Sequence, residues 1–222
     1  MPAEPSQPLV VRRATRDQDA LRLLFILHAC GTPAVPGRDP PEAVAVVHSQ
    51  MKLQALDFWM RNPDYLANEL LTEYESSKDI SFLHAARAIL ESDEPDLRRY
   101  PMVRYLYGAY EPLDDALSVL RAPELISIQR HGNPAQGVVT EHVFYLLRRG
   151  RETIIRILGD YPDLSWYSDR TQLVAKVAGS TPGSRLKERQ YKQIEYESTR
   201  LTSRIGSITE KVREKLQTLT RV

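Results

Sequence analysis

Three short runs decide how this chain folds: Leu113-Asp-Asp-Ala-Leu-Ser-Val-Leu-Arg121, Leu125-Ile-Ser-Ile-Gln-Arg130 and Val138-Val-Thr-Glu-His-Val-Phe-Tyr-Leu-Leu147. In the first, Leu113, Ala116, Leu117 and Leu120 recur at three- and four-residue spacing, as one buried helical face requires. Pro112 presets φ for an opening turn, and Asp114 and Asp115 suit the positive end of the helix dipole. Pro123 then stops the helix. The other two runs are strands, separated by His131-Gly-Asn-Pro-Ala-Gln-Gly137, a cluster of strong turn formers. Val139, Val143, Tyr145 and Leu147 share one face of the second strand, and Val138, Phe144 and Leu146 the other, so both faces are expected to meet protein.

Helix, strand, turn and strand form the back half of a winged helix, and Phe144-Tyr-Leu-Leu-Arg-Arg-Gly-Arg-Glu152 resembles the last strand and following helix start of winged-helix regulators. The expected fold is therefore mainly α with a small β-wing, a winged-helix unit embedded in a helical protein. The segment Met102–Tyr110 is expected to supply the first helix of the helix-turn-helix pair. Three segments follow: an N-terminal helical region over 1–96, the winged unit over 97–160 and C-terminal helices over 161–222.

Upstream, a short strand is expected at Leu9-Val10-Val11 and a helix from Gln18 to Cys30, capped by Asp17 or Asp19. Residues 31–41 hold four prolines and two glycines and read as a rigid loop. A helix is expected from Pro41 to Met60 with apolar residues on two faces. Such a helix is either packed on both sides or keeps one side for another chain. Phe58 and Trp59 are correspondingly core residues or aromatic anchors for a partner. Asn62-Pro63-Asp64 opens another helix, and Asp79–Leu90 a fourth. Ser92–Asp96 reads as a solvated acidic loop.

Downstream, helices are expected from Gly150 to Gly159 and from Ser168 to Gly179, then a linker at Ser180-Thr-Pro-Gly-Ser184. A long helix carrying Leu186, Ile194, Leu201 and Ile205 comes next. The last helix is opened by a capping box, Ser207-Ile-Thr-Glu210. These terminal helices suit either packing back or clasping a partner.

The 222 residues carry a net charge of only +1, yet residues 1–120 hold 12 Lys/Arg against 18 Asp/Glu, and residues 121–222 hold 18 against 11. Either the halves face different partners, or basic helices dock on an acidic half. The single cysteine, Cys30, lies in an apolar helical pattern and reads as a buried thiol. The N-terminus lacks the features of a signal peptide, and no apolar run approaches the ~20 residues that span a bilayer, so a cytoplasmic protein without membrane contact is expected.

No phosphate-binding glycine loop, nucleophile elbow or Cys-x-x-Cys occurs, and the five histidines show no paired spacing with a carboxylate. Neither catalytic residue, cofactor nor metal site is expected. Sequence-specific DNA reading fits poorly, because Asp114 and Asp115 would meet phosphate at the presenting end of the helix. Arg148, Arg149 and Arg151, with Arg185, Lys187 and Arg189, are the candidates for contact with a DNA backbone. Asp114, Asp115, Phe58 and Trp59 are the candidates for a protein partner.

Lys52-Leu-Gln-Ala-Leu-Asp-Phe-Trp-Met-Arg-Asn-Pro-Asp-Tyr-Leu-Ala-Asn-Glu-Leu-Leu71, Arg189-Gln-Tyr-Lys-Gln-Ile-Glu-Tyr196 and Ser203-Arg-Ile-Gly-Ser-Ile-Thr209 resemble segments of the middle components of ABC-type three-component bacterial defence systems, the Lamassu group. The resemblance implies a non-catalytic subunit that bridges a coiled-coil ATPase, related to structural-maintenance-of-chromosomes proteins, and an effector nuclease in DNA-sensing antiviral or anti-plasmid defence. The alternative from another class is a dimeric winged-helix transcriptional regulator.

Overall fold

The computed structural model describes residues 14–92, 94, 100–105, 108–133 and 138–221. The expected strand at Leu9–Val11 and the tip residues 134–137 lie outside these.

Helix α1 (Arg16–Cys30) is opened by Thr15 rather than by Asp17 or Asp19. The Thr15 hydroxyl accepts from the Gln18 N–H while the Gln18 side chain accepts from the Thr15 N–H, a reciprocal capping box. Its residues Leu23 to Leu27 are all buried. The expected loop over 31–41 stands except for a two-residue strand, β1 (Thr32–Pro33), and the first half of the expected Pro41–Met60 helix is instead β2 (Ala43–His48), paired antiparallel with β1. Val44, Val46 and Val47 satisfy strand alternation as readily as helical spacing, and their β-branching favours the strand. Ser49, at φ 68, turns the chain, and its hydroxyl accepts from the Lys52 N–H to start α2 (Gln50–Arg61).

Helix α3 (Pro63–Ser77) begins where Asn62-Pro63 places it, although the Asn62 amide donates back to the Phe58 carbonyl instead of capping. Helix α4 (Ile80–Leu90) is capped by Asp79, which accepts from the Ser81 N–H. In place of the expected helix over Met102–Tyr110 stand two short strands, β3 (Val103–Tyr105) and β4 (Gly108–Tyr110), paired antiparallel. Gly108 has φ +106, a backbone conformation that L side chains rarely adopt. Helix α5 (Asp114–Arg121), β5 (Ile126–Asn133) and β6 (Val138–Leu147) follow as expected.

Then come α6 (Arg148–Asp160), a 3₁₀ turn (Pro162–Leu164) and α7 (Ser165–Ala178), which starts three residues before the expected Ser168 cap. The single long helix expected next is α8 (Gly183–Tyr191) and a one-turn α9 (Ile194–Glu197), followed by an irregular stretch and α10 (Thr209–Thr220). Long-range bonds hold that stretch: Thr202 N–H donates to the Arg104 carbonyl, and Ile205 N–H to that of Met102. The Ser207 hydroxyl accepts from the Thr209 N–H as a cap would and donates to Asp64, while Asp64 rather than Glu210 completes the arrangement by accepting from the Ile208 N–H.

The larger sheet has the order β1-β2-β6-β5 and is antiparallel throughout. As expected for β6, both faces are covered. Phe144 and Leu146 join the main core, while Val143 and Tyr145 form a small cluster with Val46. The main core runs from Ala20 to Leu216 and draws on all three expected segments. Cys30 is buried, its thiol on the Thr171 carbonyl, and burial pushes its pKa up to about 12.

Phe58 and Trp59 are both 0% exposed, which corrects the expectation of a surface anchor. The Phe58 ring packs edge-on against Tyr65 and Tyr196, and Trp59 lies under the Arg189 guanidinium. The expected linker is also a packing element. Gly183 is buried, and a Cβ there would sit 2.4 Å from the Lys52 nitrogen. Gly183→Ala should therefore force α8 away from α2, lowering stability by about 2 kcal/mol. Urea unfolding followed by far-UV circular dichroism checks this, and an unchanged midpoint would refute the close packing.

Candidate partner-binding face

Helix α5 turns Leu113, Ala116, Leu117 and Leu120 inward and leaves Asp114, Asp115, Ser118 and Arg121 exposed. The β5–β6 hairpin stands beside it, with Ile128 opposite Phe144 and Arg130 opposite His142. Between helix and hairpin lies a cleft of about 340 Å³, walled by Leu117, Arg121, Ile128, Arg130 and Phe144, with Asp114 at its rim. A second cleft of about 510 Å³ runs along Ile126, Ser127 and Ile128 to Arg149 and Glu42. Arg121 and Ile128 line both, so the two clefts share a wall.

Strand β5 has β6 on one side and, among the described residues, no strand on the other. Edge strands are ordinarily protected by proline, lysine or a bulge. Ile126–Arg130 contains neither residue, and the one irregularity in the β5–β6 pairing falls beyond it, between His131 and Gly132. The Ser127 hydroxyl is buried at this edge without a hydrogen-bond partner.

The six cations expected to contact nucleic acid do not converge on one face. Arg148 and Arg149 are exposed at the start of α6 but lie near carboxylates, 3.2 Å from Glu42 and 3.9 Å from Glu124 respectively. Arg151 is exposed on the same helix; burial first, and then its charge, lowers the pKa of His28 on α1. Arg185 pairs with Glu188 on its own helix. Arg189 is committed inward, donating to Glu69, to Glu73 and to the Val177 carbonyl. Lys187 is buried, its ammonium 2.7 Å from the Ala109 carbonyl.

These inward cations decide between the two readings of the charge asymmetry, in favour of docking. Arg189 on Glu69 and Glu73, Lys215 on Glu75, Lys176 on Asp79 and Arg170 on Glu94 all join the basic C-terminal part to the acidic N-terminal part. Glu94 belongs to the segment expected to be a solvated acidic loop, yet it also accepts from the Trp166 indole N–H at 2.8 Å. Arg121 and Arg130, by contrast, make no ion pair among the described residues. Sequence reasoning missed them, together with Ser127. A strand-edge cation is recognised only once pairing shows which edge is free.

No family model, curated protein or solved structure matches this chain.

Lys187 and its neighbour give a pH signature. Burial alone pushes the Lys187 amine down to about 8 from its usual 10.5. Burial also pushes the Tyr196 hydroxyl, which accepts from the Ala109 N–H, up from its usual 10. Between about pH 8 and 10 the unfolded chain keeps a lysine proton that the folded chain has released. Stability should therefore rise with pH, by at most about 1 kcal/mol per pH unit. Above about 10 the unfolded tyrosine ionises while the folded one does not, and stability should fall. Lys187→Met should abolish the rise and lower stability by about 1 kcal/mol through the lost hydrogen bond. Urea midpoints at several pH values check both signs; a rise that survives the substitution refutes the assignment.

Proposed function

We propose that this chain is a non-catalytic accessory subunit that bridges a structural-maintenance-of-chromosomes-type ATPase and an effector nuclease in a bacterial antiviral or anti-plasmid defence complex. The observation that carries the binding role is the outward presentation of Asp114 and Asp115 at the head of α5, beside a strand that has no neighbour on its far edge among the described residues. Helix α5 followed by β5 and β6 has the order of the helix and wing of a winged-helix unit, and this unit is the proposed partner-binding face. The resemblance of Lys52–Leu71, Arg189–Tyr196 and Ser203–Thr209 to the Lamassu group supplies the identity of the partners.

A winged-helix regulator would present the N-terminal end of this helix to base edges. Two exposed carboxylates there are repelled by phosphate, which supports a protein partner over a duplex. Contact with a DNA backbone is assigned to Arg148, Arg149 and Arg151, the exposed members of the candidate set that share one helix; Arg185, also exposed, pairs with Glu188 on α8.

Co-purification of the tagged chain from its native operon, followed by mass measurement, tests the reading. Recovery with a large coiled-coil ATPase is expected, and Asp114→Lys with Asp115→Lys should reduce it about tenfold. A lone dimer that shifts one specific duplex would overturn the proposal in favour of the regulator. Reversal of Arg148, Arg149 and Arg151 to Glu should weaken DNA binding by the whole complex and flatten its salt dependence. Unchanged affinity would remove the phosphate contact.

A further inference from the structure

We infer that the open edge of β5 accepts an extended acidic segment of a partner protein, which adds to the sheet as a fifth strand. The inference rests on the reading of this chain as a binding subunit and adds, to the contact made by Asp114 and Asp115, a second contact of opposite charge at Arg121 and Arg130.

An edge strand presents a row of unpaired backbone N–H and C=O groups, which only another extended backbone can satisfy in register. The segment Ile126–Arg130 offers five residues of such backbone free of proline, lysine and bulge. Clefts of about 340 Å³ and 510 Å³ border it and share the Ile128 and Arg121 wall. They supply the side-chain pockets that a bare edge lacks. Ser127, whose hydroxyl is buried without a partner, lines the second cleft.

Charge selects the occupant. Glu42 and Glu124 beside the clefts already face Arg148 and Arg149. Arg121 and Arg130 make no ion pair among the described residues, both are exposed, and in the first cleft they stand against one carboxylate, Asp114. A second copy would add its own Arg121 and Arg130 to an edge that already carries these two arginines without an ion pair, and like charges brought together there repel. A nucleic acid would satisfy the arginines but leave the strand carbonyls, acceptors themselves, facing phosphate. An extended peptide with acidic side chains alternating with apolar ones satisfies backbone, pockets and arginines together.

The test uses the whole chain and a synthetic mixture of octapeptides. Glu or Asp stands at alternate positions, with Val, Ile, Leu, Tyr or Phe between. Amide hydrogen exchange over Ile126–Arg130 is the readout. The mixture should slow exchange there about tenfold or more, whereas the same mixture N-methylated on alternate amides should not. Arg130→Glu, an exposed change that leaves the fold intact, should cut the protection about tenfold. A mixture with Lys in place of the acids should give none. Absence of protection, equal protection by the N-methylated mixture, loss of it on adding a single-stranded oligonucleotide, or concentration-dependent dimerisation abolished by Arg130→Glu would each overturn the inference. If Arg130→Glu still recovers the ATPase while the peptide mixture fails, the binding-subunit reading stands and strand addition falls.

Discussion

Asp57 is fully buried in the middle of α2 and sits between two guanidinium groups. Arg22 of α1 donates to it at 2.5 Å, and Arg61, one turn further along α2, lies 3.7 Å away. A lone carboxylate at that depth would cost several kcal/mol, so the charge is tolerable only if α1 and α2 arrive together. Arg22 is held in turn by Asp19 at 2.8 Å. Burial works against its charge, but the two carboxylates outweigh it and raise its pKa. Arg61 reaches onward to the Tyr100 carbonyl and to Glu111. Through this chain of charges the helical layer is tied to the segment that leads into α5.

The rest of α2 is enclosed by the same logic of polar groups that need named partners. Gln54 exchanges two hydrogen bonds with the Glu111 backbone, and the Gln190 amide donates to the Ala55 carbonyl. The Lys52 backbone receives Gly183 at a distance no side chain would allow. Between these contacts Phe58, Tyr65 and Tyr196 pack edge to face. Helix α2 is thus surrounded by α1, α8, the β4 segment and the aromatic cluster, which leaves Phe58 and Trp59 nothing to offer a partner. Two apolar faces in the sequence carried that information; the competing idea of a reserved face arose because an aromatic pair looks alike in a core and at a hot spot.

What was legible depended on whether the signal was local. The α5–β5–β6 run was readable because helical spacing, a stop at Pro123, β-branched runs and turn residues all agree within a few residues. The Val44–Val47 run was ambiguous, since four apolar residues fit both periods, and only pairing with β6 makes it a strand. Met102–Tyr110 and the stretch after Glu197 were misread for one shared reason. They are held by each other, through the Thr202–Arg104 and Ile205–Met102 bonds and the Val103–Arg204 bridge, and a contact across a hundred residues leaves no periodicity. Lys187 and Arg189 fell the same way. A cation on a helix reads as solvated until a buried carbonyl or a pair of glutamates is placed opposite it.

The placement of the candidate face follows from how the charges are used. The acidic and basic parts of the chain neutralise one another where α3 and α4 meet the C-terminal helices, in pairs that are part-buried or lie close to the core. Such pairs fix the orientation of helices more than they add net stability. The hairpin is joined to this body by the pairing of β6 with β2, by Ile126, Phe144 and Leu146 in the main core and by the His48–Glu141 contact on the β2 side, so the outer edge of β5 is left free of the neutralising network. Arg121 and Arg130 stand on that free side because nothing in the fold requires them, and removing an exposed unpaired arginine should barely alter stability. A residue that the fold does not use, set beside backbone groups that the fold does not pair, is where binding can be altered without loss of the protein.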